Sequence, residues 1–118
     1  MQKKVLVVDE EDLLRNLLAQ IIQNSGYFVE QSKNKEKAVE IYKKTNPDIV
    51  IINTINPSAD GIQIAESILK NDSDAVIVVL TSFSSTKNNE LLKVGVKEVI
   101  EKPFKSVDLI DVIKKHTE

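Results

Sequence analysis

The chain contains no cysteine, so neither a disulfide framework nor a thiolate metal site can hold it together. Charge of one sign is also missing: 16 Lys+Arg stand against 18 Asp+Glu, a formal net charge of -2, with both signs interspersed. No basic field is available to draw in a polyanion, so nucleic acid is not expected as a direct partner. Long apolar runs are absent as well. The longest are of strand length, well short of the ~20 residues a membrane span needs. The opening MQKK leads into apolar residues that stop at Asp9, without the longer apolar stretch and small-residue cleavage site of a signal peptide. A cytoplasmic chain with no membrane contact is the expectation. Only 3 glycines are present, and they form no glycine-rich phosphate loop of dinucleotide or P-loop type.

What the chain does have is core material. With 118 residues and 42% hydrophobic content, a single globular unit can bury roughly two-thirds of its unfolded surface without staples. Val5-Leu6-Val7-Val8, Ile49-Val50-Ile51-Ile52 and Val76-Ile77-Val78-Val79-Leu80 are continuous aliphatic runs dominated by β-branched residues. Such runs suit strands buried on both faces of a parallel sheet. Tyr27 to Ser32 and Val96 to Glu101 mix apolar and polar residues, as edge strands do.

Helical patterns lie between them. Leu13, Leu14, Leu17, Leu18, Ile21 and Ile22 read as one inward stripe, with Arg15, Asn16, Gln20 and Gln23 outside it. Ala38, Ile41 and Tyr42 mark a second helix with Asn34 as N-cap. Ile64, Ala65, Ile68 and Leu69 mark a third, and Leu91 and Leu92 a short fourth that Gly95 ends. Leu109, Ile110, Val112 and Ile113 mark a fifth, with Ser106 as N-cap. The polar stretch Ser82 to Asn89 reads as a loop. The only histidine, His116, falls in the last helix. This fivefold βα alternation spans residues 1–118 as one domain and predicts an α/β, doubly wound (βα)5 fold. Its five parallel strands take the order 2-1-3-4-5, with the mixed-polarity strands at the edges.

Ligands of such sheets bind beyond the carboxyl ends of the strands. Asp9 and Glu10 follow the first strand, Asn53 ends the third, Thr81 the fourth, and Lys102 the fifth. Singly, each has an ordinary explanation: acids favour a helix start, and hydroxyls, amides and lysines are common in turns. Together on one rim they point to a site.

The segments VLVVDEED, DIVIINTINPSADG, VVLTSF and IEKPF resemble the strand-end motifs of the receiver domain of two-component response regulators, a family of flavodoxin-like fold. The resemblance covers essentially the whole chain. It implies that Asp9 and Glu10, with the backbone carbonyl of Ile55, hold Mg²⁺. It also implies that Thr81 is the switch hydroxyl, that Lys102 pairs with a phosphoryl oxygen, and that Lys102-Pro103 is cis.

The position matching the phosphoaccepting aspartate is Asn53, whose amide is not a nucleophile. Its neutral side chain also removes a charge from the site and weakens Mg²⁺ binding. Val99 stands where the family often has a switching aromatic. Three readings follow. The first is a pseudo-receiver that works by protein contact. The second is an ordinary Mg²⁺-dependent phosphoreceiver carrying a deliberate Asp→Asn replacement. The third is an unrelated nucleotide- or flavin-binding domain. Asp9 and Asp60 are fallback acceptors without geometric support.

By resemblance the partners are a histidine kinase, a phosphotransfer protein or an output protein, and the chain is not an enzyme. Phe83, beside the site, is the candidate apolar anchor. The first helix and the face formed by the fourth helix, fifth strand and fifth helix are the candidate contact surfaces. Five βα units use nearly all of the chain, so no output domain is expected within it. The oligomeric state is left open.

Overall fold

The computed structural model describes residues 2–53, 61–82 and 85–118, the side chains of 85–87 excepted. Strands and helices alternate: β1 (Lys4–Val8), α1 (Asp12–Asn24), β2 (Phe28–Ser32), α2 (Lys35–Thr45), β3 (Ile49–Asn53), α3 (Ile62–Asn71), β4 (Ile77–Thr81), α4 (Ser85–Val94), β5 (Glu98–Glu101) and α5 (Ser106–Thr117). The strands form one parallel sheet in the order β2-β1-β3-β4-β5. As their polarity predicts, β2 and β5 are the edges, while β3 and β4 are buried along their whole length.

Alternate residues of the inner strands feed two cores. Leu6, Val8, Val50, Ile52, Ile77 and Val79 pack beneath α2, α3 and α4 with Ala38, Tyr42, Ile64, Ile68 and Leu91. Val5, Val7, Ile49, Ile51, Val78 and Leu80 pack beneath α1 and α5 with Leu18, Ile22, Leu109, Ile110 and Ile113. Period-two alternation in strands covered on both sides leaves no solvent face, which is why the runs are continuously apolar.

Three local expectations are corrected. The six apolar residues of α1 do not form one inward stripe. Leu18 and Ile22 are buried, but Leu13, Leu14 and Leu17 are 79%, 40% and 54% exposed. The inward face is Arg15, Leu18, Ala19 and Ile22, spaced i, i+3, i+4, i+7. Ser106 is the first residue of α5 and not its cap. The free N–H of Lys105 is taken instead by the Asp108 carboxylate at 3.1 Å, an acid well placed in the first turn. From Ser85 onward the polar stretch ending at Asn89 is helical, since polar residues without Gly or Pro are compatible with a helix whose apolar face comes later. Asn34 does cap α2, its Oδ1 accepting from the Lys37 N–H at 2.9 Å.

Candidate functional site

The register of β1 and β3 pairs Val8 with Ile52, so the next residues, Asp9 and Asn53, emerge side by side at the carboxyl ends. They are in direct contact: Asn53 Nδ2 donates to Asp9 Oδ2 at 2.8 Å. The other carboxylate oxygen, Oδ1, accepts from the Glu11 N–H at 3.0 Å. Both side chains are buried, Asp9 at 2% and Asn53 at 6% exposure. Asn53 Oδ1, in contrast, is buried without a hydrogen-bond partner among the described residues.

Thr81 ends β4 and is fully buried. Its carbonyl accepts from the Lys102 N–H at 2.7 Å, which ties the start of the β5–α5 connection to the rim. Lys102-Pro103 is cis. The Lys102 side chain is exposed and makes no ion pair among the described residues. Glu10 is exposed at the head of α1. Val99, on β5, packs half-buried against the core beneath α2, α3 and α4. Ile55, Asp60 and Phe83 lie outside the described residues.

Sequence reasoning missed Arg15. Its guanidinium donates to the Asp9 carbonyl at 2.9 Å, to Gln31 Oε1 at 3.1 Å and to Asp12 Oδ1 at 2.8 Å. The fork binds the β1–α1 connection to the edge strand and to the first turn of α1. Hydrogen bonding from Arg15, then its charge and that of Lys33, holds the Asp12 carboxyl below the ordinary carboxylate value. The signal was the helical spacing of Arg15 with Leu18, Ala19 and Ile22. A second missed contact joins Asn88 of α4 to Glu101 of β5, Nδ2 to Oε1 at 2.8 Å, beside Lys102.

Chemically, the rim presents a buried carboxylate already hydrogen-bonded at both oxygens and a buried amide that cannot attack phosphorus. Its potential metal ligands are oxygens only: Asp9, the exposed Glu10 and Asn53 Oδ1. Hard oxygen donors suit Mg²⁺. Among the described residues, however, no group of three or more His, Cys, Asp or Glu is arranged to hold a metal, and one Asp9 oxygen is engaged by the amide. The set fits a weakly held ion. A cavity of about 180 Å³ adjoins Glu10 between Lys33, Lys35 and Gln63. It is smaller than the roughly 300–1,000 Å³ of typical cofactor and drug-sized sites, which disfavours a flavin or nucleotide there.

Comparison with known proteins agrees with this geometry. The family model described as the response regulator receiver domain matches residues 5–114. The chain is 35% identical over 117 residues to the chemotaxis protein CheY of Thermotoga maritima, covering 98% of each. It is 34% identical over 114 residues to CheY of Halobacterium salinarum, covering 96% of this chain and 95% of that one. Similarity to the sporulation initiation phosphotransferase F of Bacillus subtilis is 28% identity, over 98% of this chain and 94% of that one. In fold, the chain superposes on the Vibrio cholerae chemotaxis protein CheY4 with a TM-score of 0.88, at 24% identity and covering 98% and 99% of the two chains.

Proposed function

The chain belongs to the response regulator receiver family of two-component signal transduction, and within that family we propose that it signals by protein contact without aspartyl phosphorylation. Receiver domains are generally signalling modules without enzymatic activity of their own, interact with kinases, phosphotransfer proteins and output domains, and bind Mg²⁺ weakly at the phosphorylation site. The observation that carries the proposal is the side chain at the end of β3. Asn53 is an amide bonded to Asp9, and by the motif resemblance it stands where the family's acyl phosphate forms. An amide offers neither a nucleophilic oxygen nor the charge against which Lys102 would balance.

The partner we propose is the helical phosphotransfer domain of a histidine kinase or phosphotransfer protein, docking in the cytoplasm on α1. Leu13, Leu14 and Leu17 lie exposed on the first two turns of that helix, directly after the Asp9-Glu10 rim. A partner that approaches the rim over α1 would meet this face. Exposed leucines in contiguous helical positions supply the apolar anchor that such contacts use. No helix among the described residues is long and apolar enough to cross a membrane.

The test is ¹⁹F NMR of the protein with Mg²⁺ and beryllofluoride, an analogue of the phosphoryl group. The wild type is expected to show no bound fluoride signal, and Asn53→Asp to acquire one with shifts at Thr81. A bound signal in the wild type would overturn the proposal, as would phosphate recovered on Asp9 or Asp60 by mass spectrometry after incubation with a phosphodonor.

A further inference from the structure

The two ends of the Asn53 amide are treated unequally. Nδ2 donates to Asp9 Oδ2 at 2.8 Å, whereas Oδ1 is buried and unpaired among the described residues. The contact with Asp9 decides the orientation. A carbonyl oxygen turned toward a carboxylate with nothing positive between them would repel it, so the N–H end faces Asp9.

A divalent cation on the Asp9 carboxylate inverts that preference. It repels the amide N–H and attracts the amide oxygen, because hard cations take carboxylate and amide-carbonyl oxygens alike. We propose that Asn53 is a two-position amide: it donates to Asp9 in the metal-free state and turns Oδ1 onto Mg²⁺ when the ion enters. The turn is about one side-chain bond.

The unpaired oxygen then has a role. No protein donor among the described residues holds Oδ1, so the one described hydrogen bond that turning breaks is Nδ2 to Asp9. The Glu11 N–H meanwhile keeps its bond to Asp9 Oδ1 at 3.0 Å and fixes the carboxylate while Oδ2 changes partner. Each position is stabilised in its own ligation state, which is what a two-state element needs for a ligand to shift it. Weak affinity follows as well. The ion must displace the amide donor, so the observed affinity is reduced by the small fraction of molecules whose amide is already turned.

The inference concerns metal entry alone and does not depend on the partner that docks on α1. In ¹⁵N-labelled protein, the Asn53 side-chain amide pair is assigned by its disappearance in Asn53→Ala and followed while Mg²⁺ is added. Calorimetry on the same samples measures ion affinity independently. The pair is expected to shift along the calorimetric saturation curve, away from a carboxylate-bonded position. Asn53→Ala is expected to bind Mg²⁺ several-fold more weakly, having lost the ligand oxygen. The proposal is overturned if the amide pair is unmoved at saturation. It is also overturned if Asn53→Ala binds the ion more tightly, which would make the amide a plug, or if the wild type binds no Mg²⁺ at all. The wild-type amide signal decides the matter even should the alanine variant fold poorly.

Discussion

The Arg15 guanidinium donates to the backbone carbonyl of Asp9 at 2.9 Å from the buried face of α1, with 13% of its side chain exposed. One planar fork thereby holds the strand end that carries the buried carboxylate, as well as Gln31 on the edge strand. Truncation leaves the part-buried Asp9 carbonyl without its donor, while the exposed Gln31 can turn to water, so Arg15→Ala is expected to cost about 1–3 kcal/mol. Arg15→Lys should recover less than half of the loss, because an ammonium cannot span three acceptors in a plane. Urea unfolding measures both: the midpoint should fall with an unchanged slope. Equal stability of Arg15→Ala and wild type would show that the fork adds nothing.

The fold was legible because its decisive signals are local. Continuous Val/Ile runs identify β1, β3 and β4 as inner strands, and mixed polarity identifies β2 and β5 as edges. With right-handed crossovers, little freedom in strand order remains. The α1 interface was not legible. Hydropathy says which residues are apolar, but not which of two adjacent faces the sheet will cover. Arg15 turns inward because its guanidinium donates to a backbone carbonyl, that of Asp9, and to a side chain on another strand, Gln31, as well as to nearby Asp12, and the first two acceptors have no hydropathy signal. In the site, Asp9, Asn53, Thr81 and Lys102 could be placed from strand ends. The orientation of the Asn53 amide depends on cross-strand register and had no sequence signal.

Gly26 and Gly95 both adopt positive φ, at 99° and 122°, yet they differ in their surroundings. A Cβ at Gly95 would meet Leu69 Cδ1 at 3.0 Å, whereas one at Gly26 meets nothing within 4 Å. Gly26→Ala should therefore cost only the backbone term, about 1 kcal/mol, and Gly95→Ala that term plus displacement of a packed leucine, about 2–3 kcal/mol. Thermal unfolding of the two variants in parallel checks the ranking, and equal losses would remove the steric contribution.

Glu98 on β5 meets the last turn of α5, with His116 Nε2 at 2.6 Å and Lys115 Nζ at 3.4 Å. Burial alone would raise its pKa. Hydrogen bonds from His116 and Lys115, with their charges, outweigh that and hold it below the ordinary glutamate value. A carboxyl with a lowered folded-state pKa binds fewer protons folded than unfolded, so its contribution is complete above the ordinary value. It is lost as pH falls through the lowered one. The stability gap between wild type and Glu98→Gln should therefore be present at about pH 6 and shrink by about pH 3. A gap that widens on acidification would reverse the sign and contradict the pairing.

Neighbouring leucines of α1 separate docking from folding. Leu18 is 8% exposed and packs against Ile22 and the α5 core, whereas Leu13 is 79% and Leu17 54% exposed. Leu18→Ala is expected to cost about 2–4 kcal/mol through lost burial and a residual cavity. Leu13→Ser and Leu17→Ser should each stay within about 0.5 kcal/mol of wild type, as substitutions away from packed features do. If the face serves a helical phosphotransfer partner, the double serine variant should bind that partner at least tenfold more weakly while unfolding at the wild-type temperature. The contrast is informative because it cannot arise from misfolding: the residues that hold α1 to the sheet are the buried set Leu18, Ala19 and Ile22, one turn and one face away. Unchanged binding by the double variant would assign the contact to another surface and leave three exposed leucines on α1 without a role.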